Sequence, residues 1–218
     1  MVFHFGQFSS RDAFRPCEAA YLACTDPNIL EQPKVKSVKV LVSPSNYQNL
    51  FGSYSQIPGV TVKPLLIHPK DLTISSMLTL MSVAKTSAQP LYMFQVTKIL
   101  REMATETLGD FEYIEFRNRL NKLNLEPIQR RMLDQRIDLL ESFLDLDNDV
   151  PVKFSGDDGE LTIVDLSCPF VDEASACVLF NICIGLYLSG SEPNSGKVIA
   201  MDEAHKVSIC IYKTHSSL

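Results

Sequence analysis

The sequence predicts an α/β protein built on a mainly parallel sheet, and two observations carry that expectation. Short β-rich runs alternate with stretches of helical periodicity, which is the pattern of β-α-β units. One of those runs, "VIAM" at 198–201, is apolar throughout instead of alternating, as a strand buried on both faces must be.

From the N-terminus, "SVKVLVSPSNY" (37–47) gives a β-rich run, a Ser-Pro break and a helix start. "GVTVKPLLIHP" (59–69) repeats the pattern, and in the following "PKDLTISSMLTLMSV" either Asp71 or Thr73 suits a helix N-cap. The middle changes character. Tyr92, Val96, Ile99, Leu100 and Met103 fall on one helical face, and Tyr113, Phe116, Leu120 and Leu123 on another. Ile128, Met132, Leu133, Ile137, Leu140 and Leu144 form a third, longer stripe, with Pro127 in its first turn. Residues 90–145 are therefore expected to be a helical insert between two sheet-forming regions. The acidic connection "DLDNDVPVKFSGDDGE" (145–160) leads back to α/β signal. There "ELTIVDLS" (160–167) is a strand, "DEASACVLFNICIGLYL" (172–188) a largely buried helix, and "KVIAMDE" (197–203) a further strand.

A chain of 218 residues can bury a sizeable core, and 45% hydrophobic with 21% charged residues is an ordinary globular balance. A formal charge of −6 argues against a protein that grips nucleic acid over its whole surface. The six cysteines, Cys17, Cys24, Cys168, Cys177, Cys183 and Cys210, include no C-x-x-C pair, and three sit in apolar runs as small hydrophobes. No apolar run approaches a membrane span, and "MVFHFGQFSS" lacks the basic flank of a signal peptide. An intracellular protein, cytoplasmic or nuclear, is expected.

Chemistry concentrates in "GKVIAMDEAHK" (196–206). Asp202 and Glu203 close an apolar strand at the end where open α/β sheets place their ligands. One such carboxylate can hold the shell of a Mg²⁺ ion while its neighbour orients or deprotonates a water. The plain alternative is a strand that ends in a solvated acidic turn.

The order of elements adds specificity. "LTIVDLSCPF", a buried helix and then "KVIAMDEAHK" together resemble the HerA–FtsK branch of P-loop ATPases, particularly its fungal members. In that branch a strand ending in Asp-Leu-Ser and a helix precede the Walker B strand. The resemblance spans most of residues 37–206, with Walker B at 160–206 and the helical insert at about 90–145. It implies a P-loop NTPase sheet over residues 1–218, with "MVFHFGQ" as the strand after the Walker A helix. It also implies Asp202 as the Mg²⁺-associated carboxylate (through water), Glu203 as catalytic base, His205 as a possible sensor of nucleotide state, and Mg-ATP as cofactor. Related ATPases, in a homo- or hetero-oligomer, and nucleic acid would be its partners. Asp165 suits packing or capping better than catalysis.

One family element is missing. A Walker A loop reads G-x-x-x-x-G-K-[ST] between a strand and a helix. The nearest match, "GSEPNSGKV" (190–198), has five residues between its glycines, places Val198 after Lys197 and leads into a strand. The chain is accordingly expected to be an incomplete domain, interrupted at both ends. It would be a fragment or degenerate relative that hydrolyses Mg-ATP only if the loop comes from elsewhere. The alternative is a non-catalytic interaction module derived from an ATPase fold.

Three weaker signals are set aside. Asp145, Asp147 and Asp149 have calcium-loop spacing, but Val150 replaces the necessary glycine and Gly156 the bidentate glutamate. Arg117, Arg119, Lys122, Arg130, Arg131 and Arg136 interleave with Glu126, Asp134 and Asp138, as on a solvated helix face. His4, His68, His205 and His215 show no metal spacing along the chain.

Overall fold

The computed structural model describes residues 1–6, 14–24, 35–81, 90–107, 110–147, 154, 159–189 and 196–202. These residues form two compact units, one of residues 1–65 and 153–218, the other of residues 66–152.

The first unit carries a five-stranded, all-parallel sheet in the order β3-β2-β4-β1-β5. The strands are β1 (Val2–His4), β2 (Ser37–Val42), β3 (Val60–Pro64), β4 (Glu160–Asp165) and β5 (Ala200–Met201). Helix α1 (Tyr47–Tyr54) links β2 to β3. The central strands bury nearly every side chain toward their carboxyl ends: Val40, Leu41 and Val42 on β2, and Thr162 to Asp165 on β4. Continuous burial of this kind belongs to parallel strands covered on both faces. The run 198–201 expected to be such a strand is not: only Ala200–Met201 pair as β5, at the end of the strand order, and Val198 is 77% exposed. One core cluster joins Val38, Val40, Val42 and Ile163 of the sheet to Leu50 and Tyr54 of α1 and to Phe14, Cys17 and Ala20. Lys39 and Glu160 form a charged pair across β2 and β4.

The second unit holds α2 (Ile74–Met81), α3 (Tyr92–Glu106), α4 (Tyr113–Asn121) and α5 (Pro127–Ser142). Of the two possible caps before α2, the structure selects Thr73. Its Oγ1 accepts the Ser76 N–H at 3.1 Å while Ser76 Oγ accepts the Thr73 N–H at 2.9 Å, a reciprocal cap. The unit's entry and exit are zipped together. Ile67 N–H donates to Phe143 O at 2.8 Å, and Asp145 N–H donates to Ile67 O at 3.0 Å.

The α3 stripe is buried as the periodicity requires, as are Tyr113, Phe116 and Leu120 of α4. The longer stripe needs correction. Leu133, Ile137 and Leu140 are buried, but Ile128 is 65% and Met132 41% exposed. The apolar pattern on α5 is wider than the face that α2 and α3 can cover, so its outer flank stays in water. Leu123 lies beyond α4 and is only half buried.

After β4, helix α6 (Glu173–Ser189) returns the chain toward β5. Its first half is packed, with Phe180 edge-on to Phe3 of β1 at 4.9 Å between ring centroids. Burial then thins, and Leu188 is exposed. Lys197 donates from Nζ to the carbonyls of Tyr187 (3.0 Å) and Leu188, closing the helix with a cation at its negative end. The lysine of the loose phosphate-loop match is thus a helix cap. Among the described residues, no helix is long and apolar enough to cross a membrane.

Truncation should separate the two faces of α5. Ile137→Ala is expected to cost about 2–5 kcal/mol, whereas Ile128→Ala should stay within about 0.5 kcal/mol. Urea denaturation of the two variants checks this.

Candidate functional site at the carboxyl end of the sheet

Sheet order and chain order together set where the strands exit. From β1 and β2 the chain moves toward the β3 edge, and from β4 it moves toward the β5 edge. β4 therefore ends between two neighbours whose exits run the other way, the arrangement that opens a ligand crevice in parallel sheets.

Strand register brings three polar residues to that point. His4 lies level with Asp165, and Asp165 level with Val42, the residue before Ser43. Asp202 follows β5 directly, its N–H donating to Phe3 O at 2.8 Å. Pairing on both sides of β1 thus holds His4 beside Asp202, and His4 Nδ1 donates to Asp202 Oδ2 at 2.7 Å.

Asp165 is fully buried and doubly hydrogen-bonded. Its Oδ1 accepts the Ser167 N–H at 2.8 Å, a turn closed by the side chain, and its Oδ2 accepts the Tyr54 hydroxyl at 2.6 Å. The Tyr54 oxygen in turn accepts the Cys17 N–H at 2.9 Å, and Cys17 O accepts the Ala20 N–H, so Cys17 is held at both backbone groups. Ser167 completes the frame. Its Oγ accepts the Gly6 N–H at 2.9 Å, and its carbonyl accepts from Asn46 Nδ2 at 3.0 Å. The chain passes so close here that a Cβ on Gly6 would stand 3.1 Å from His4 Nε2 and 3.3 Å from Ser167 Oγ. Ser43 Oγ is buried at the same strand end with no hydrogen-bond partner among the described residues.

His4 is strongly perturbed. Burial opposes charge on its ring, but the Cys17 thiol bonded to it and the Asp165 and Asp202 carboxylates outweigh burial and raise its pKa to about 9. Tyr54 is held well above the ordinary phenol range, first by burial and then by the Asp165 charge and the bond to it. At neutral pH the site therefore contains an imidazolium between two carboxylates. One further cluster follows from the same geometry. Ligand-capable atoms of His4, Cys17 and Asp202 all lie within 4.8 Å of one another.

Of the residues singled out by sequence, Asp202 and Asp165 meet in this network. Glu203 and His205 lie outside the described residues, as do His215, Cys210, Asp149, Val150, Gly156 and the loop 190–195. His4, Cys17 and Tyr54 were not legible as site residues. His4 does stand out as the one charged or polar side chain in "VFHF", a faint signal of something held in place at a strand end. Compared with family models, with curated proteins and with solved structures, the chain finds no match.

Two outcomes are expected. Tyr54→Phe deletes the group that satisfies both Asp165 Oδ2 and the Cys17 N–H, and should cost about 1–3 kcal/mol in urea denaturation. The second concerns pH. Folded His4 keeps its proton to about 9, whereas the unfolded ring releases it near 6.5. The stabilisation is complete below pH ~6.5 and lost as pH rises through about 9, on the order of 3 kcal/mol. Its sources are, in order, Cys17, Asp165 on β4 and Asp202 after β5. Urea midpoints at pH 6 and pH 9.5 should differ clearly less in His4→Gln than in the parent chain.

Proposed function

We propose that the chain is a degenerate relative of the HerA–FtsK-like P-loop ATPases whose Walker B acid serves structure, with no ATP turnover by the chain alone. One contact carries this: the 2.7 Å pair of His4 and Asp202. In the family reading Asp202 supports Mg²⁺ through water, and its half-exposed carboxylate at the carboxyl end of β5 fits that role in placement. In electrostatics the fit is poor, because the imidazolium on Oδ2 supplies the positive charge a cation would bring. The Gly6 N–H is likewise committed, to Ser167 Oγ, and does not face a phosphate. Mg-ATP would supply the transferable phosphoryl group and the cation that neutralises it, and phosphoryl transfer depends mainly on such positioning and charge. His4 holds Asp202 in place and neutralises it, which is stabilising and leaves the acid poorly suited to catalysis.

The reading is supported by an all-parallel sheet whose β5 is followed directly by Asp202, with Glu203 next in the sequence. Nucleic acid contact rests on the resemblance alone. Of the basic residues weighed for it, Arg117 pairs with Glu141, Arg119 with Glu106 and Glu115, and Arg130 with the carbonyls of Leu120 and Leu123.

A second reading, an interaction module, draws on the exposed apolar pair Ile128 and Met132, one helical turn apart on α5. It predicts concentration-dependent association by light scattering that Ile128→Asp abolishes.

The main proposal is tested by phosphate release from Mg-ATP. The purified chain and Glu203→Gln should both give buffer-level rates. Turnover by the parent chain that Glu203→Gln abolishes would overturn it.

A further inference from the structure

The cluster of His4, Cys17 and Asp202 offers a nitrogen, a sulfur and an oxygen from three separately anchored segments. We infer that it is a binding site for a borderline-soft divalent transition-metal ion of the Zn²⁺ type, with the three side chains as ligands and one position left open. This does not depend on the ATPase reading.

Geometry comes first. Zn²⁺ takes sulfur at about 2.3 Å and nitrogen or oxygen at about 2.0–2.2 Å, so its tetrahedral ligands stand about 3.3–3.8 Å apart. The three atoms already lie within 4.8 Å of one another, and His4 Nδ1 and Asp202 Oδ2 are at 2.7 Å with a proton between them. An ion that displaces this proton opens the pair by roughly 0.6 Å and needs to draw the sulfur in by no more than about 1 Å. The proton on the imidazole and the thiol proton leave to solvent as the bonds to the ion form. The resulting centre, one thiolate and one carboxylate around a divalent ion, is neutral, the same net charge as the imidazolium, carboxylate and thiol that it replaces.

Donor type selects the ion. Imidazole and thiolate suit Zn²⁺ and its neighbours, whereas Mg²⁺ and Ca²⁺ take oxygen. The supporting shell is also in place: Tyr54 holds the Cys17 N–H and is itself fixed on Asp165. Cys17 is 2% exposed, so its sulfur can ligate a small ion but cannot attack a bulky substrate. Asp202, with a side chain 44% exposed, gives the ion its way in.

The test uses Co²⁺ as probe on the reduced, chelator-treated full chain. One equivalent should produce a thiolate-to-cobalt charge-transfer band in the near ultraviolet and tetrahedral ligand-field bands in the visible. Zn²⁺ should displace the Co²⁺ and abolish both. Cys17→Ser should lose the charge-transfer band, and Asp202→Asn, a change at a half-exposed group that leaves the core intact, should weaken Co²⁺ binding at least 10-fold. Cys24→Ser should leave the spectrum unchanged. A folded parent chain without the band, or a band that survives Cys17→Ser, overturns the site. Neither result bears on ATP turnover.

Discussion

Asp165 is an ionisable side chain placed with no exposure in the middle of a parallel sheet, where an unpaired charge would be very costly. Much at the carboxyl end of the sheet can be understood as the means of making that tolerable. Ser167 N–H and the Tyr54 hydroxyl satisfy its oxygens, and the His4 imidazolium supplies compensating charge. One donor is local, at the turn after β4, and the other comes from α1, while the compensating charge comes from β1, which ties these elements into one network. Losing the Tyr54 hydroxyl leaves a buried acceptor unsatisfied and losing the imidazolium leaves a buried charge uncompensated, so the frame around the crevice is cooperative.

The same network commits many of the polar groups at this end of the sheet to one another. Gly6, Asn46, Ser167 and Cys17 each have a backbone or side-chain group committed to another member. Among the described residues at this strand end, what remains uncommitted is the exposed side of Asp202 and the buried Ser43 hydroxyl. A site of this kind is preorganised for something small. That is the common ground between a neutralised Walker B acid and a metal centre, since both follow from the enforced closeness of His4 and Asp202.

The helical unit has a different logic. Its helices cover one another's apolar stripes, while Arg117 and Tyr113 both converge on Glu141 of α5. Arg119 pairs with Glu106 on α3 and with Glu115 on its own helix. The acids interleaved with the arginines in sequence, Glu126, Asp134 and Asp138, are not the ones that pair with these two. Helical spacing alone says which residues share a face, but a neighbour's side chain decides which charges meet.

The sequence by itself determined the class and order of elements. Alternation of β-rich runs with helical periodicity set the class, and the stripe on α3 fixes which side that helix hides. The apolar run 198–201 misled, because β5 ends the strand order and Val198 and Ala200 stand exposed. Thr73 and Asp71 were equally good caps on paper, and Ile128 fell on the α5 stripe as naturally as Ile137. Only packing decided between them, because burial depends on what a neighbouring element can reach. The site lay further beyond local reading. Asp202 was visible as an acid at a strand end, but its partner His4 is 198 residues away. Their meeting depends on β5 lying beside β1 instead of β4. Strand order is a property of the whole sheet, set by which edges pair, and no local pattern of residues encodes it.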